Sequence, residues 1–183
     1  MPISRCNRRP TITRRSARLW IPVALLALAI TALSGDALGQ QKTLADQLVG
    51  TWIYVSVDTV RPDGSRTPMY GPTPQGMATF DRTGHYILLT ARPDLPKFVS
   101  KNRMDGTPEE YKAIVQGSIA HFGRYTVNEA EKTITFRIET STFPNWNGIE
   151  QTRPFTLNGN DLKWTTPGAS GGGSGEVVLK RAP

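Results

Sequence analysis

The sequence predicts an all-β fold for residues 40–183: an eight-stranded up-and-down antiparallel β-barrel. Three observations predict it. Eight segments alternate apolar and polar side chains with a period of two, short turn-forming connections join most of them, and one capped helix interrupts the series. Eight antiparallel strands in chain order close most economically into a barrel, because closure removes both exposed edges. A two-sheet sandwich of the same strands is the alternative.

The chain opens on a segment of a different kind. Six of the fifteen arginines (Arg5, Arg8, Arg9, Arg14, Arg15, Arg18) fall within the first 18 residues, and an uncharged apolar run, Leu19 to Leu33, follows. Fifteen residues make a helix of roughly 22 Å, short of the ~30 Å hydrocarbon core of a membrane. Ala37-Leu38-Gly39 before Gln40 then reads as a small-residue cleavage site. A charged start, a short apolar run and a small-residue cut define a secretory signal peptide. Residues 1–39 are therefore expected to be a leader. The expected product is an exported domain, periplasmic or secreted, that does not stay in the membrane.

In the remaining chain, Thr51 to Val60 alternates. Trp52, Tyr54 and Ser56 lie on one side, and Ile53, Val55 and Val57 on the other. Arg61 to Gly76 holds Pro62, Pro68, Pro72 and Pro74 and is expected to be a long loop, the kind that serves as a lid. Strands follow at Met77–Asp81 and His85–Ala91, joined by the turn Arg82-Thr83-Gly84. After a Pro- and Gly-marked loop comes Thr107-Pro108-Glu109-Glu110. Thr107 can cap, Pro108 suits the first helical position, and Glu110 completes a capping box. Tyr111, Ile114, Val115, Ser118 and Ile119 then share one face at helical spacing. The spacing predicts one α-helix over about 108–119, between the third and fourth strands. Five strands complete the series: His121–Val127, Lys132–Ser141, Gly148–Leu157, Asp161–Thr166 and Glu176–Arg181. Asn158-Gly159 is a tight hairpin turn, and the glycine-rich Gly168 to Gly175 is a mobile connection.

Matching apolar residues across each hairpin sorts the faces. Ile134, Phe136 and Ile138 are set against Leu157, Phe155 and Arg153, and Val127, Tyr125 and His121 join the same face. Leu162 and Trp164 continue it, as do Val177, Leu179 and Arg181. The interior is then apolar and aromatic, with a few polar groups: Tyr54, Ser56, His121, Tyr125, Gln151 and Arg153. Convergent polar groups on an apolar lining are how ligand pockets fix orientation. With Phe136 and Trp164 these form the expected ligand-binding set. Arg153 is its anchor, because a buried guanidinium needs an acceptor to meet it.

Charge and cysteine content exclude other classes. The net charge of +7 resides mostly in the leader. Beyond residue 39 there are 16 basic and 14 acidic side chains, so no stripe remains to track phosphates and nucleic acid is set aside. Cys6 is the single cysteine, so the domain has no disulfide, thiol nucleophile or cysteine-held metal. His85 and His121 have no spacing that makes a metal site, and no cofactor is implied. No nucleophile, base and acid stand out as a constellation.

Leu48-Val49-Gly50-Thr51-Trp52 carries the G-x-W pattern of lipocalins. More specific matches run through Gly106 to Tyr111, Phe122 to Val127, Phe143-Pro144-Asn145-Trp146 with Gly148, and Gln151-Thr152-Arg153. On these segments the chain resembles the bacterial and fungal lipocalin-like domain family over roughly residues 46–181. The resemblance implies that Trp52 closes one end of the barrel, covered by Arg181. It departs from the family pattern at two positions: a Tyr is common at the place of His121, and a His at the place of Phe136. The expectation is a monomeric carrier of a small, largely apolar molecule with a polar or acidic end near Arg153. Two rivals remain: an isomerase or cyclase of a hydrophobic metabolite using His121 or Tyr125, and a filled barrel with a structural role.

Overall fold

The computed structural model describes residues 42–183; the expected leader, residues 1–39, lies outside the described residues. A short helix α1 (Leu44–Leu48) precedes β1 (Gly50–Val60). The strands β2 (Arg66–Pro68), β3 (Gln75–Phe80) and β4 (His85–Ala91) follow. The helix α2 (Pro108–Gly117) leads into β5 (Ser118–Asn128) and β6 (Thr133–Ser141). After a single 3-10 turn at Pro144–Trp146 come β7 (Glu150–Asn158), β8 (Asp161–Thr166) and β9 (Ser174–Arg181).

All pairings among the described residues are antiparallel: β2 pairs only β1, β1 pairs β3 past it, β3 to β9 pair in chain order, and β1 also pairs β9 from Trp52↔Arg181 to Val60↔Ser174. That last pairing closes eight strands into the predicted barrel. The alternating apolar residues face inward, and Trp52, Phe80, Ile134, Phe136, Ile138, Leu162 and Leu179 are fully buried. Each contributes roughly 1.5–3 kcal/mol of burial.

The capping box is present. Glu110 N donates to Thr107 Oγ1 at 3.2 Å, and Thr107 N donates to Glu110 Oε2 at 2.8 Å. The helix ends at Gly117, two residues before the predicted end near Ile119. Its chain then turns extended at Ser118, where the pairing Ala91↔Ser118 starts β5 three residues before its expected beginning.

Four further features differ from expectation. The long loop after β1 contains β2, a three-residue strand pairing the end of β1 and held by the Arg66–Glu176 ion pair at 2.6 Å. Ile134 pairs Arg153 and Phe136 pairs Gln151, a shift from the predicted alignment by an even number of residues, so every inward residue stays inward. In β1 a bulge between Tyr54 and Ser56 does the opposite: Val57 turns inward, and Ser56 leaves the inner face. A second bulge, opposite Gly123, brings backbones so close that a Cβ at Gly123 would lie 2.1 Å from the Arg137 carbonyl oxygen.

Candidate functional site

One end of the barrel is shut. Trp52 donates its Nε1–H to the Leu48 carbonyl at 2.8 Å, and the Arg181 guanidinium carbon lies 4.2 Å from the Trp52 ring centroid. Arg181 also donates to the carbonyls of Val49, at 3.0 Å, and Gln47. Gly50 makes room for it, since a Cβ there would lie 2.9 Å from Arg181 Nη1. Tyr125 belongs to this half. Its hydroxyl donates to the Asp81 carbonyl at 2.7 Å and its ring meets Phe80 edge-on.

Toward the other end lies a cavity of about 50 Å³. Its walls include Tyr54 from β1, Leu88 and Thr90 from β4, His121 from β5, Arg153 from β7 and Trp164 from β8. Met69 and Tyr70 cover it from the proline-rich loop, Trp146 from the 3-10 turn, and Ala169 and Ser170 from the glycine-rich segment. A second hollow of about 370 Å³ lies outside this cover, and Met69, Tyr70, Ile119 and Ser170 line both. Tyr70, 4% exposed, stands between the two.

Arg153 is buried with its guanidinium 4.4 Å from the Phe136 ring centroid and 5.9 Å from that of Trp164. One N–H is donated to Gln151 Oε1 at 2.6 Å; Nε has no partner among the described residues. Burial lowers its pKa to about 10, opposed by the hydroxyls of Tyr54 and Tyr86, so it is a cation at neutral pH. Among the described residues no acidic side chain forms an ion pair with it.

His121 shares a hydrogen bond of 2.7 Å with the Tyr86 hydroxyl through Nδ1. Burial, reinforced by the positive charge of Arg153, pushes its pKa down to about 2, so the imidazole is neutral. Burial raises the Tyr54 and Tyr86 hydroxyls well above the ordinary tyrosine range, although Arg153 pulls both the other way. Two more polar atoms are buried without partners, Thr90 Oγ1 and Trp164 Nε1. With Arg153 Nε that makes three orphaned polar groups on residues that line one cavity. Two of them can only donate.

The structure thus brings Tyr54, His121, Arg153 and Trp164 to the cavity, with Phe136 and Gln151 touching Arg153 from below. Tyr125 lies deeper, at the shut end. Ser56 is not part of the lining: the bulge gives its inward place to Val57. Thr90 and Tyr86 escaped the sequence reading, although both share a strand face with Leu88 in the predicted strand His85–Ala91. Tyr70 escaped it too; its signal was being the single aromatic residue of the proline-rich loop.

The model of the lipocalin-like domain family matches residues 49–179. A protein of Aspergillus oryzae named as a 4'-hydroxy-3'-methoxypropiophenone carrier protein is 30% identical over 81 residues, covering 41% of this chain and 73% of that protein. The crystal structure of a lipocalin-like protein from Bacteroides uniformis aligns over 74% of this chain and 98% of its own, at 12% identity and a TM-score of 0.42.

Proposed function

This chain belongs to the lipocalin-like domain family, and we propose that it is an exported carrier whose barrel holds one small, largely apolar molecule with its polar or acidic end at Arg153. The observation that carries this reading is the set of three orphaned polar atoms, Arg153 Nε, Trp164 Nε1 and Thr90 Oγ1, around a single cavity. Leaving buried polar groups unmatched costs about 1–3 kcal/mol each, more for a charged one. A ligand that brings acceptor oxygens removes that penalty, while its apolar body meets Leu88, Ile119 and Val177.

The name of the Aspergillus oryzae relative supports the carrier class. It describes an aryl ketone with a phenolic hydroxyl, so an aromatic body with acceptor oxygens. The same chemistry suits Arg153 and Trp164 here. The arrangement favours carriage over the isomerase or cyclase reading. A histidine with a pKa near 2 is a weak base at neutral pH, and tyrosine hydroxyls raised by burial are weak acids.

Entry requires movement at the mouth. A cavity of about 50 Å³ holds a water or two, whereas benzene occupies a cavity of about 150 Å³. Swinging Tyr70 and Met69 aside joins the inner cavity to the outer hollow of about 370 Å³, which gives the room that an aromatic ligand needs. Native mass spectrometry of the protein recovered from an exporting host tests the reading. The expected species begins at Gln40 and carries one small molecule, released on denaturation. A bare barrel in every preparation, with no uptake of an added phenolic aryl ketone, overturns it.

A further inference from the structure

Six large apolar side chains stand on the outside of the barrel: Ile53 and Val55 on β1, Met77 on β3, Ile87 and Leu89 on β4, and Phe122 on β5, between 38% and 58% exposed. The register brings five of them into two adjoining rows, and Val55 stands beside Ile53 along β1. Ile53, Met77, Leu89 and Ala120 pair in one row across four neighbouring strands, and Thr51, Thr79, Ile87, Phe122 and Thr140 pair in the next. No charged residue interrupts either row. The opposite half of the barrel differs: the outward positions of β6 to β8 carry Arg137, Glu139, Glu150, Asp161 and Lys163.

We propose that this apolar face is the contact of a homodimer, two copies stacking their β1–β3–β4–β5 sheets across a two-fold axis. The six side chains expose roughly 600 Å², the upper end for patches on monomers and three-quarters of the ~800 Å² per partner in a standard interface. Thr51, Thr79 and Ala120, partly exposed, and the exposed Thr140 extend the same rows. An uncharged face does not repel its own copy, and two sheets stack at about 10 Å with their side chains interleaved. An added peptide strand is excluded, because β1, β3, β4 and β5 are paired on both sides. A lipid surface is disfavoured because the rim has both signs of charge, in the pairs Asp81–His85 and Arg124–Glu139. The inference replaces the expected monomer and does not depend on the ligand reading.

Sedimentation velocity on the full chain tests it. The wild type is expected to sediment as a dimer at micromolar concentration. Leu89→Glu and, separately, Met77→Lys should each raise the dissociation constant by about 100-fold, as loss of a central interface anchor does. Both side chains point outward, so the near-ultraviolet circular dichroism of the buried Trp52 and Trp164 should be unchanged. Lys163→Glu, on the charged half, should leave association intact. A wild type that is monomeric up to about 100 μM, whatever else binds it, overturns the proposal, as does a dimer that persists in both variants.

Discussion

The guanidinium of Arg153 lies 4.4 Å from the centroid of the Phe136 ring, and both residues are buried in the barrel. A cation–π contact contributes roughly 0.5–2 kcal/mol. Moving a charged group out of water costs several kcal/mol even after relaxation. Phe136 and the hydrogen bond that Arg153 donates to Gln151 therefore do not fully offset the burial of Arg153, whose Nε stays unmatched. In the proposed carrier this unmatched group is what an arriving acceptor would meet.

Arg153→Met keeps the stem and the contact with Phe136 while removing the charge. The ligand-free barrel is expected to become more stable, by about 1–3 kcal/mol, the penalty of an unmatched buried group. Affinity for an acidic ligand should fall by roughly 1.5–3 kcal/mol, the range for hydrogen bonds to charged groups, with neutral analogues less affected. Chemical denaturation and calorimetric titration read the two effects. A variant less stable than wild type would show that Arg153 has a structural partner and is not poised for a ligand.

Arg181→Ala acts at the shut end. It removes the contact with Trp52 and the donors to Gln47 and Val49, and should lower stability by about 2–3 kcal/mol. Ligand affinity should be nearly unchanged, because the cavity lies toward the mouth. A loss of binding with stability spared would place Trp52 and Arg181 at the entrance.

His121 predicts a pH dependence. Its pKa is about 2 in the folded barrel and about 6.5 when unfolded, so between those values the unfolded chain binds the extra proton. The sign follows: the His121 contribution is constant above pH 6.5, and stability falls as the pH drops below it, by about 1.4 kcal/mol per pH unit. Urea unfolding at pH 7.5 and 5.5 should show this loss in the wild type and not in His121→Gln. Equal slopes in the two proteins would mean that the imidazole is protonated in the folded state.

Thr107→Ala removes the cap of α2 and should destabilise by about 1 kcal/mol. The same box fixes the preceding loop, because Glu110 Oε1 accepts from Val99 N at 2.9 Å. Amide exchange in residues 98–106 should therefore speed up together with the first turn of the helix. Exchange confined to the helix would separate the two.

Much of this barrel was legible because alternation is robust to register. The β6–β7 pairing differs from the sequence alignment by an even number of residues, so Arg153 and Phe136 face inward in both. A single extra residue breaks the rule, and the bulge at Val55 cost the reading Ser56 and hid Val57. The capping box was legible because its four residues are contiguous. The mouth was not, since Tyr70, Trp146 and Ser170 meet only through tertiary packing of three irregular segments. Nor did periodicity mark the outer face as special: one or two exposed apolar residues per strand are ordinary, and only the closed register lines them up.

The most direct test of the account is a calorimetric titration of the wild type and Arg153→Met with a matched pair, a phenolic aryl carboxylate and its methyl ester. The account predicts one site per barrel in the wild type, tighter for the acid. The acid should lose at least tenfold in Arg153→Met, while the ester changes little. No heat with either compound, together with a Trp fluorescence spectrum unmoved by both, would mean that the barrel is filled; equal loss for acid and ester would mean that Arg153 only shapes the wall.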